Sequence, residues 1–391
     1  MSSRQRLLER LPVYRDGLLE DTVPFWLKHG LDHEHGGYMT SVARDGSLLD
    51  TDKGVWQQGR FAWLLSKLYN TVEQRKEWLA AAELGIRFLD EHCFDESDGR
   101  FWFHVTREGR PLRKRRYAFS ESFAAIAYGQ YSKATGNAAY ATKADAAFRK
   151  FLDHNRHPDP KLAKFTDERP ASGLAFPMIS IVTAQDLRES IGWADADRVI
   201  DESIETIRRL HVRPDLEVVL ENASPDGSIH EHFDARTLNP GHAIEGAWFI
   251  MWEGKHRGDR ELIELGCNML RWMWRRGWDT AHGGMLYFVD LHGLPVQEYW
   301  HDMKFWWPHN ETIIATLLAY QLTGDELFLR WHEQVHEWSY RHFADPVCGE
   351  WFGYLHRDGS VSSTLKGNLW KGAFHLPRMQ LVCWELLKSG L

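Results

Sequence analysis

The chain has 391 residues, 43% hydrophobic and 26% charged, proportions of a globular protein large enough for one big domain or two to three ordinary ones. Its 47 basic against 55 acidic residues leave a net charge of −8, which argues against the basic face that a nucleic-acid partner wants. No run approaches the roughly 20 apolar residues of a membrane span, and Cys93, Cys267, Cys348 and Cys383 have no metal or paired spacing.

The first residues, "MSSRQRLLERLPVYRDG", lack the apolar segment of a secretory leader. With so few thiols, a cytoplasmic location is expected. From Gly36, "GGYMTSVARDGSLLDTDK" carries two short runs of β-formers around a turn at Gly46, a hairpin signal. "RFAWLLSKLYNTV" from Arg60 and "WLAAAELGIRFLDEHC" from Trp78 then show apolar residues at three- and four-residue steps, predicting two helices. From Gly99, "GRFWFHVTREGRPLRKRRY" repeats the hairpin about Gly109, and its basic run Arg113–Arg116 reads as a solvated loop. "ESFAAIAYGQYSKATG" and "AAYATKADAAFRKFLDHN" repeat the helix pair. Next, "NRHPDPKLAKFTDERP" puts a proline-rich loop where a hairpin is due.

From Leu216, "LEVVLENASPDGSIHEHF" turns at Gly227, before the helices "AIEGAWFIMWEGKHRGD" and "LIELGCNMLRWMWRRGW". From Gly283, "GGMLYFVDLHGLPVQEYW" turns at Gly293, before "ETIIATLLAYQLTGDE" and "FLRWHEQVHEWSYRHF". From Gly349, "GEWFGYLHRDGSVSSTLK" turns at Gly359, before "MQLVCWELLKSGL". The turn glycines are 63, 118, 66 and 66 residues apart, so six units of about 63 residues fill the chain and one has lost its hairpin. Helices of this length are stable only when packed. The last is as apolar as the others, whereas an open stack would need polar ends. The expected fold is all-α: an (α/α)6 barrel, one domain over residues 1–391, with hairpin loops gathered at one mouth.

Measured from the turn glycines, Arg60 lies 14 residues on, His242 15, Glu311 18 and His375 16. Four units thus bring a reactive side chain to nearly one phase, at the start of an inner helix, where free N–H groups favour oxygen-rich ligands. Singly, each has an ordinary structural reading: a satisfied histidine, an ion-pair arginine, a first-turn glutamate, and His309 as an N-cap neighbour. Together they suit proton abstraction beside a carbonyl, with two imidazoles as carriers and a guanidinium on the enolate oxygen. Glycoside hydrolysis would instead want two carboxylates, and beyond Glu311 only Glu221 and Glu350 are weaker candidates. The 19 tryptophans can be core, but such flat aromatic faces also line many sugar sites. No phosphate-binding loop, dinucleotide fingerprint or zinc spacing occurs.

The motifs "VWQQGR", "LENASPDG", "NPGHAIE", "KFWWPHNE", "DPVCGEWFGYLHRDG" and "KGAFHLPR" closely resemble the N-acylglucosamine 2-epimerase family, a group also known through renin-binding proteins. The likeness runs from about residue 15 to residue 385. It implies an (α/α)6 barrel, often a homodimer, that interconverts N-acetyl-D-glucosamine and N-acetyl-D-mannosamine by exchanging the C2 proton of the open-chain sugar. By the same resemblance His242 and His375 are the acid–base pair, Arg60 holds the open-chain oxygen and Glu311 supports a histidine or binds substrate. His309, Trp306, Glu245 and Trp370, in or beside these motifs, are expected to bind substrate. No metal and no cofactor for the chemistry are implied. ATP is a possible allosteric activator, with "NRHPDPKLAKFT" as its candidate loop, though that wording departs from the family. Cellobiose 2-epimerases are less similar, because "GLAFPMIS" stands where they carry histidines. An aldose–ketose isomerase, an epimerase of mannose, glucose or cellobiose, and a protein-binding module stay open as alternatives.

Overall fold

In a computed structural model, which describes residues 3–157 and 164–390, the helical pairs close into a ring. In chain order the helices are α1 (Ser3–Asp16), α2 (Val23–His29), α3 (Val55–Thr71), α4 (Lys76–Phe88), α5 (Phe119–Thr135), α6 (Ala138–Arg156) and α7 (Ala175–Ile191). There follow α8 (Ala196–Thr206), the single turn α9 (Phe233–Arg236), α10 (Pro240–Arg257), α11 (Arg260–Gly277), α12 (Trp306–Thr323), α13 (Glu326–His342) and α14 (His375–Gly390). Helices α3, α5, α7, α10, α12 and α14 form the inner ring, each packed on its neighbour or joined to it at the seam. Helices α4, α6, α8, α11, α13 and α1 lie outside them. The outer helices α8 and α11 are amphipathic, burying Val199, Ile200 and Ile204, and Leu262, Met269 and Leu270, against the inner ring. Inner helices such as α12 are apolar nearly all round because both faces are covered.

The hairpins follow a rule that the spacing alone does not reveal. The two or three residues that lead into an inner helix pair with the hairpin of the following unit. Lys53–Gly54 pairs with His104–Val105, Ser172–Gly173 with Asn222–Ala223, Thr237–Leu238 with Val289–Asp290, and Lys304–Phe305 with Tyr354–Leu355. Gly367, ahead of α14, pairs with Val42 of the first hairpin and so closes the ring. Among the described residues, this pairing is absent at the junction before α5, whose partner would be the proline-rich loop. Residues 158–163 of that loop, part of the candidate nucleotide segment, lie outside the described residues.

Three of the five expected hairpins fold back across their own glycines, Gly46, Gly109 and Gly359, all at positive φ as such turns require. At Gly293 and Gly227 the expectation fails. Pro295 follows Gly293 and cannot donate to a ladder. After Gly227 the chain enters α9 instead of a second strand.

Ion clasps tie hairpin to hairpin. Asp32, Asp279 and Asp345 each hold a buried lysine (Lys53, 2.8 Å; Lys304, 3.0 Å; Lys366, 3.0 Å). Each also accepts an arginine from the next hairpin: Arg107, Arg357 and, across the seam, Arg44 at 2.7 Å. Lys53 is 0% exposed, yet its ammonium reaches Asp32 and the carbonyls of Gly36 and Arg107, which satisfies its three donors.

Candidate active site

Every inner helix starts at the hairpin mouth, and α3, α10, α12 and α14 carry charged or titratable groups of the site within their first six residues. On α10, Asn239 accepts the His242 N–H at 3.1 Å and Pro240 occupies the first turn, which fixes His242 there. Gly241 allows a close approach: a Cβ at that position would stand 2.8 Å from the Trp307 ring. On α14, His375 is the first helical residue, and the Phe374 carbonyl accepts the Arg378 N–H at 2.8 Å.

The two imidazoles are anchored alike. His242 donates Nδ1–H to Glu221 (3.0 Å), and His375 donates Nδ1–H to Glu311 (2.7 Å). Each is left with Nε2 for the cavity. The Trp307 indole packs against both, with centroids 5.0 Å from His242 and 5.8 Å from His375, so the rings are separated by no more than those two distances together. They share one compartment.

Their electrostatics diverge. Burial works against the charged form of His242, but the carboxylates of Glu221 and then Glu245 outweigh it, and the imidazole sits above its ordinary value. His375 is pushed well below its ordinary value by burial and by the positive charges of Arg378 and Arg60. Its partner Glu311 is fully buried and is already shared with Arg378 (2.7 Å) and the Trp248 N–H (2.9 Å). The pair is therefore asymmetric: His242 holds a proton more readily than a free imidazole, and His375 less readily.

Arg60, only 8% exposed, stacks against Phe123, Phe374 and Trp56 at 4.1, 4.7 and 5.4 Å. Among the described residues no carboxylate pairs with it, and its Nε has no hydrogen-bond partner. Burial and the neighbouring Arg378 push it down to about 9, which still leaves it charged near neutrality.

These groups line a cavity of about 1000 Å³ that includes Arg60, His242, Glu245, Trp306, Trp370 and His375. Trp306 stands edge-on to His375 at 6.1 Å. Trp370, 43% exposed, stands at the rim against Trp56 and Phe103. Glu245 and Glu311 do not face the space alone, because the Arg378 guanidinium bridges them. Glu311 lies one layer behind the wall. Glu245, Glu311 and His375 are residues of metal-ligand type with ligand atoms within 4.8 Å of one another, but Arg378 fills the centre of that cluster.

His309 stands apart from the cavity, contrary to the expectation that it binds substrate. Its Nδ1–H donates to the Phe305 carbonyl (2.6 Å), its Nε2 accepts the Met285 N–H (2.9 Å), and its ring stacks on Trp338. Both nitrogens are spent, and burial pushes it down to about 3. Glu350 is likewise structural, paired with Lys371 at 2.8 Å and Trp26 at 2.6 Å. Trp307 and Arg378 were missed as site residues although both lie inside quoted motifs. For Arg378 the signal was its i+3 spacing from His375, which puts the two on one helix face.

A family description reading N-acylglucosamine 2-epimerase (GlcNAc 2-epimerase) matches residues 37–376. The chain is 38% identical over 399 residues to N-acylglucosamine 2-epimerase of Bos taurus, covering 98% of this chain and 93% of that one. It is 36% identical over 386 residues to the Mus musculus protein of the same name, covering 95% and 91%. Among solved structures it is similar to cellobiose 2-epimerase from Spirochaeta thermophila, with a TM-score of 0.83 at 22% identity over 100% and 99% of the two chains. The last likeness carries the fold, the (α/α)6 barrel.

Proposed function

The chain belongs to the N-acylglucosamine 2-epimerase family, and from that premise we propose that it interconverts N-acetyl-D-glucosamine and N-acetyl-D-mannosamine through the open-chain aldehyde. One observation carries the reading: two carboxylate-anchored imidazoles line one cavity beside an unpaired, buried guanidinium. Arg60 receives the aldehyde oxygen, which makes the C2 proton acidic. His375, neutral at rest, takes that proton on Nε2, and the electrons pass to an enolate oxygen held by Arg60. His242, whose imidazole holds a proton more readily than a free one, returns a proton to the opposite face of C2 as the carbonyl re-forms. The reverse reaction exchanges the two roles, and solvent resets the protonation states. Glu311 and Glu221 keep each ring in the tautomer that presents Nε2. No step requires a metal or redox cofactor.

The glycosidase alternative finds little support here. Glu245 and Glu311 share one arginine, and neither is free to protonate a leaving group or activate water. Homodimer assembly, a cytoplasmic location and activation by ATP belong to the same proposal through the family. Among the described residues no helix is long and apolar enough to cross a membrane.

The test is incubation with free sugars in heavy water, followed by NMR. Deuterium at C2 of both N-acetylhexosamine epimers is expected. Formation of a ketose, or exchange only with unsubstituted hexoses, would overturn the reading.

A further inference from the structure

The inner ring is two-sided at the depth of the chemistry. Arg60, Glu245 and Glu311 are each the sixth residue of their helices, and His242, His375 and Arg378 lie within the first turn or so of theirs. All of these groups come from α3, α10, α12 and α14. The other two inner helices, α5 and α7, face the same cavity with Phe123, Ile126, Met178, Ile179 and Val182. The hydroxyls on this wall, Ser122 and Thr183, are bonded to each other at 2.8 Å. Ile179 and Val182 stay only partly buried although they stand on an inner helix, because the space before them is the cavity.

The proposed exchange at C2 constrains the sugar. With C2 between the histidines at the helix starts and the C1 oxygen at the deeper Arg60, the C3–C6 polyol would extend toward the rim, where Trp370 and Asn368 line the cavity. The substituent on C2 is then carried below the histidines. A hydroxyl placed against Phe123, Ile126, Met178, Ile179 and Val182 would meet apolar side chains and two hydroxyls already bonded to each other, whereas an acyl chain would be covered. The wall also continues past the reach of an acetyl group. Along α3 the lining runs Trp56, Arg60, Trp63, Lys67, and charge returns at Lys67 and at Asp186 and Glu189 of α7. Seven residues separate Arg60 from Lys67, roughly 10 Å of helix at 1.5 Å per residue.

We propose that the α5–α7 wall is the subsite for the N-acyl group and that it admits unbranched acyl chains several carbons longer than acetyl. The proposal rests on the functional reading above and adds to it the element that selects acylated over unsubstituted sugars.

The experiment measures kcat/KM for 2-epimerisation of N-acetyl-, N-butanoyl- and N-hexanoyl-D-glucosamine by the full chain. Butanoyl and hexanoyl substrates are expected to have kcat/KM no more than about tenfold below that of acetyl, because the added methylenes leave water against the wall. Ile179→Phe and Val182→Phe narrow the wall from two positions, and the hexanoyl-to-acetyl ratio should fall more than about tenfold. Because acetyl turnover is read on the same sample, that ratio is independent of the folded fraction. If acetyl is turned over but butanoyl is lost more than a hundredfold, or if both variants leave the ratio unchanged, the subsite is elsewhere. Turnover of glucose or mannose with no N-acyl substrate accepted would instead overturn the functional reading itself.

Discussion

At Arg60 a guanidinium sits among three aromatic rings with no carboxylate partner among the described residues. An arrangement of this kind is stable enough to persist and leaves the charge for an incoming oxygen. Lysine retains the charge but loses both the planar stacking and the fork. Arg60→Lys is expected to lower kcat/KM by about 10²–10³ in the epimerisation assay; activity within a few-fold of the parent would remove Arg60 from the carbonyl site. At His242 the balance is between burial, which lowers its pKa, and Glu221, which raises it. Glu221→Gln removes the raising charge, so the imidazole loses its proton at lower pH. When His242 acts as the acid, the alkaline limb of the rate–pH profile should therefore move toward lower pH, and an unmoved limb would mean that Glu221 does not tune the ring. Arg60, His242 and His375 were visible in the sequence because glycine-rich turns put them at a common phase. His309 was misread because proximity to a helix start does not say which way a ring faces. Its neighbours Phe305, Met285 and Trp338 come from three separate segments.

Elements are joined here by long-range pairs that periodicity cannot encode. The helices were legible because three- and four-residue apolar steps are local, and each inner–outer pair follows in sequence. The hairpin rule was not, since each pre-helix strand finds its partner one unit later. Distance from a turn glycine also proved a loose ruler of depth: His375 is the first residue of its helix and Glu311 the sixth. The seam clasp gives a contrast in stability. Asp345→Asn leaves Lys366 buried without its counter-charge and is expected to cost about 3–5 kcal/mol in urea unfolding. Arg44→Ala removes a half-exposed side chain from the same carboxylate and should cost clearly less than Asp345→Asn. Equal losses would mean that the seam is not held by the buried pair.

The whole molecule brings distant parts of the chain to one axis. Gly367 pairs with Val42, Arg44 with Asp345, and Gln57 donates to the Trp370 carbonyl at 2.9 Å, so the last unit completes the wall begun by the first. Closure sets His375 beside Arg60 and across Trp307 from His242, and no single unit contains the site. The result is a cavity with one polar and one apolar half, in which, by the proposed mechanism, a planar enolate would meet a proton carrier on each side. Wash-in of solvent deuterium by the single-histidine variants tests this most directly. His242→Asn should exchange the C2 proton of one N-acetylhexosamine epimer, His375→Asn that of the other, and both should interconvert the epimers at least about 10²-fold more slowly than the parent. Exchange of the same epimer by both variants, or full interconversion by either, would contradict the account.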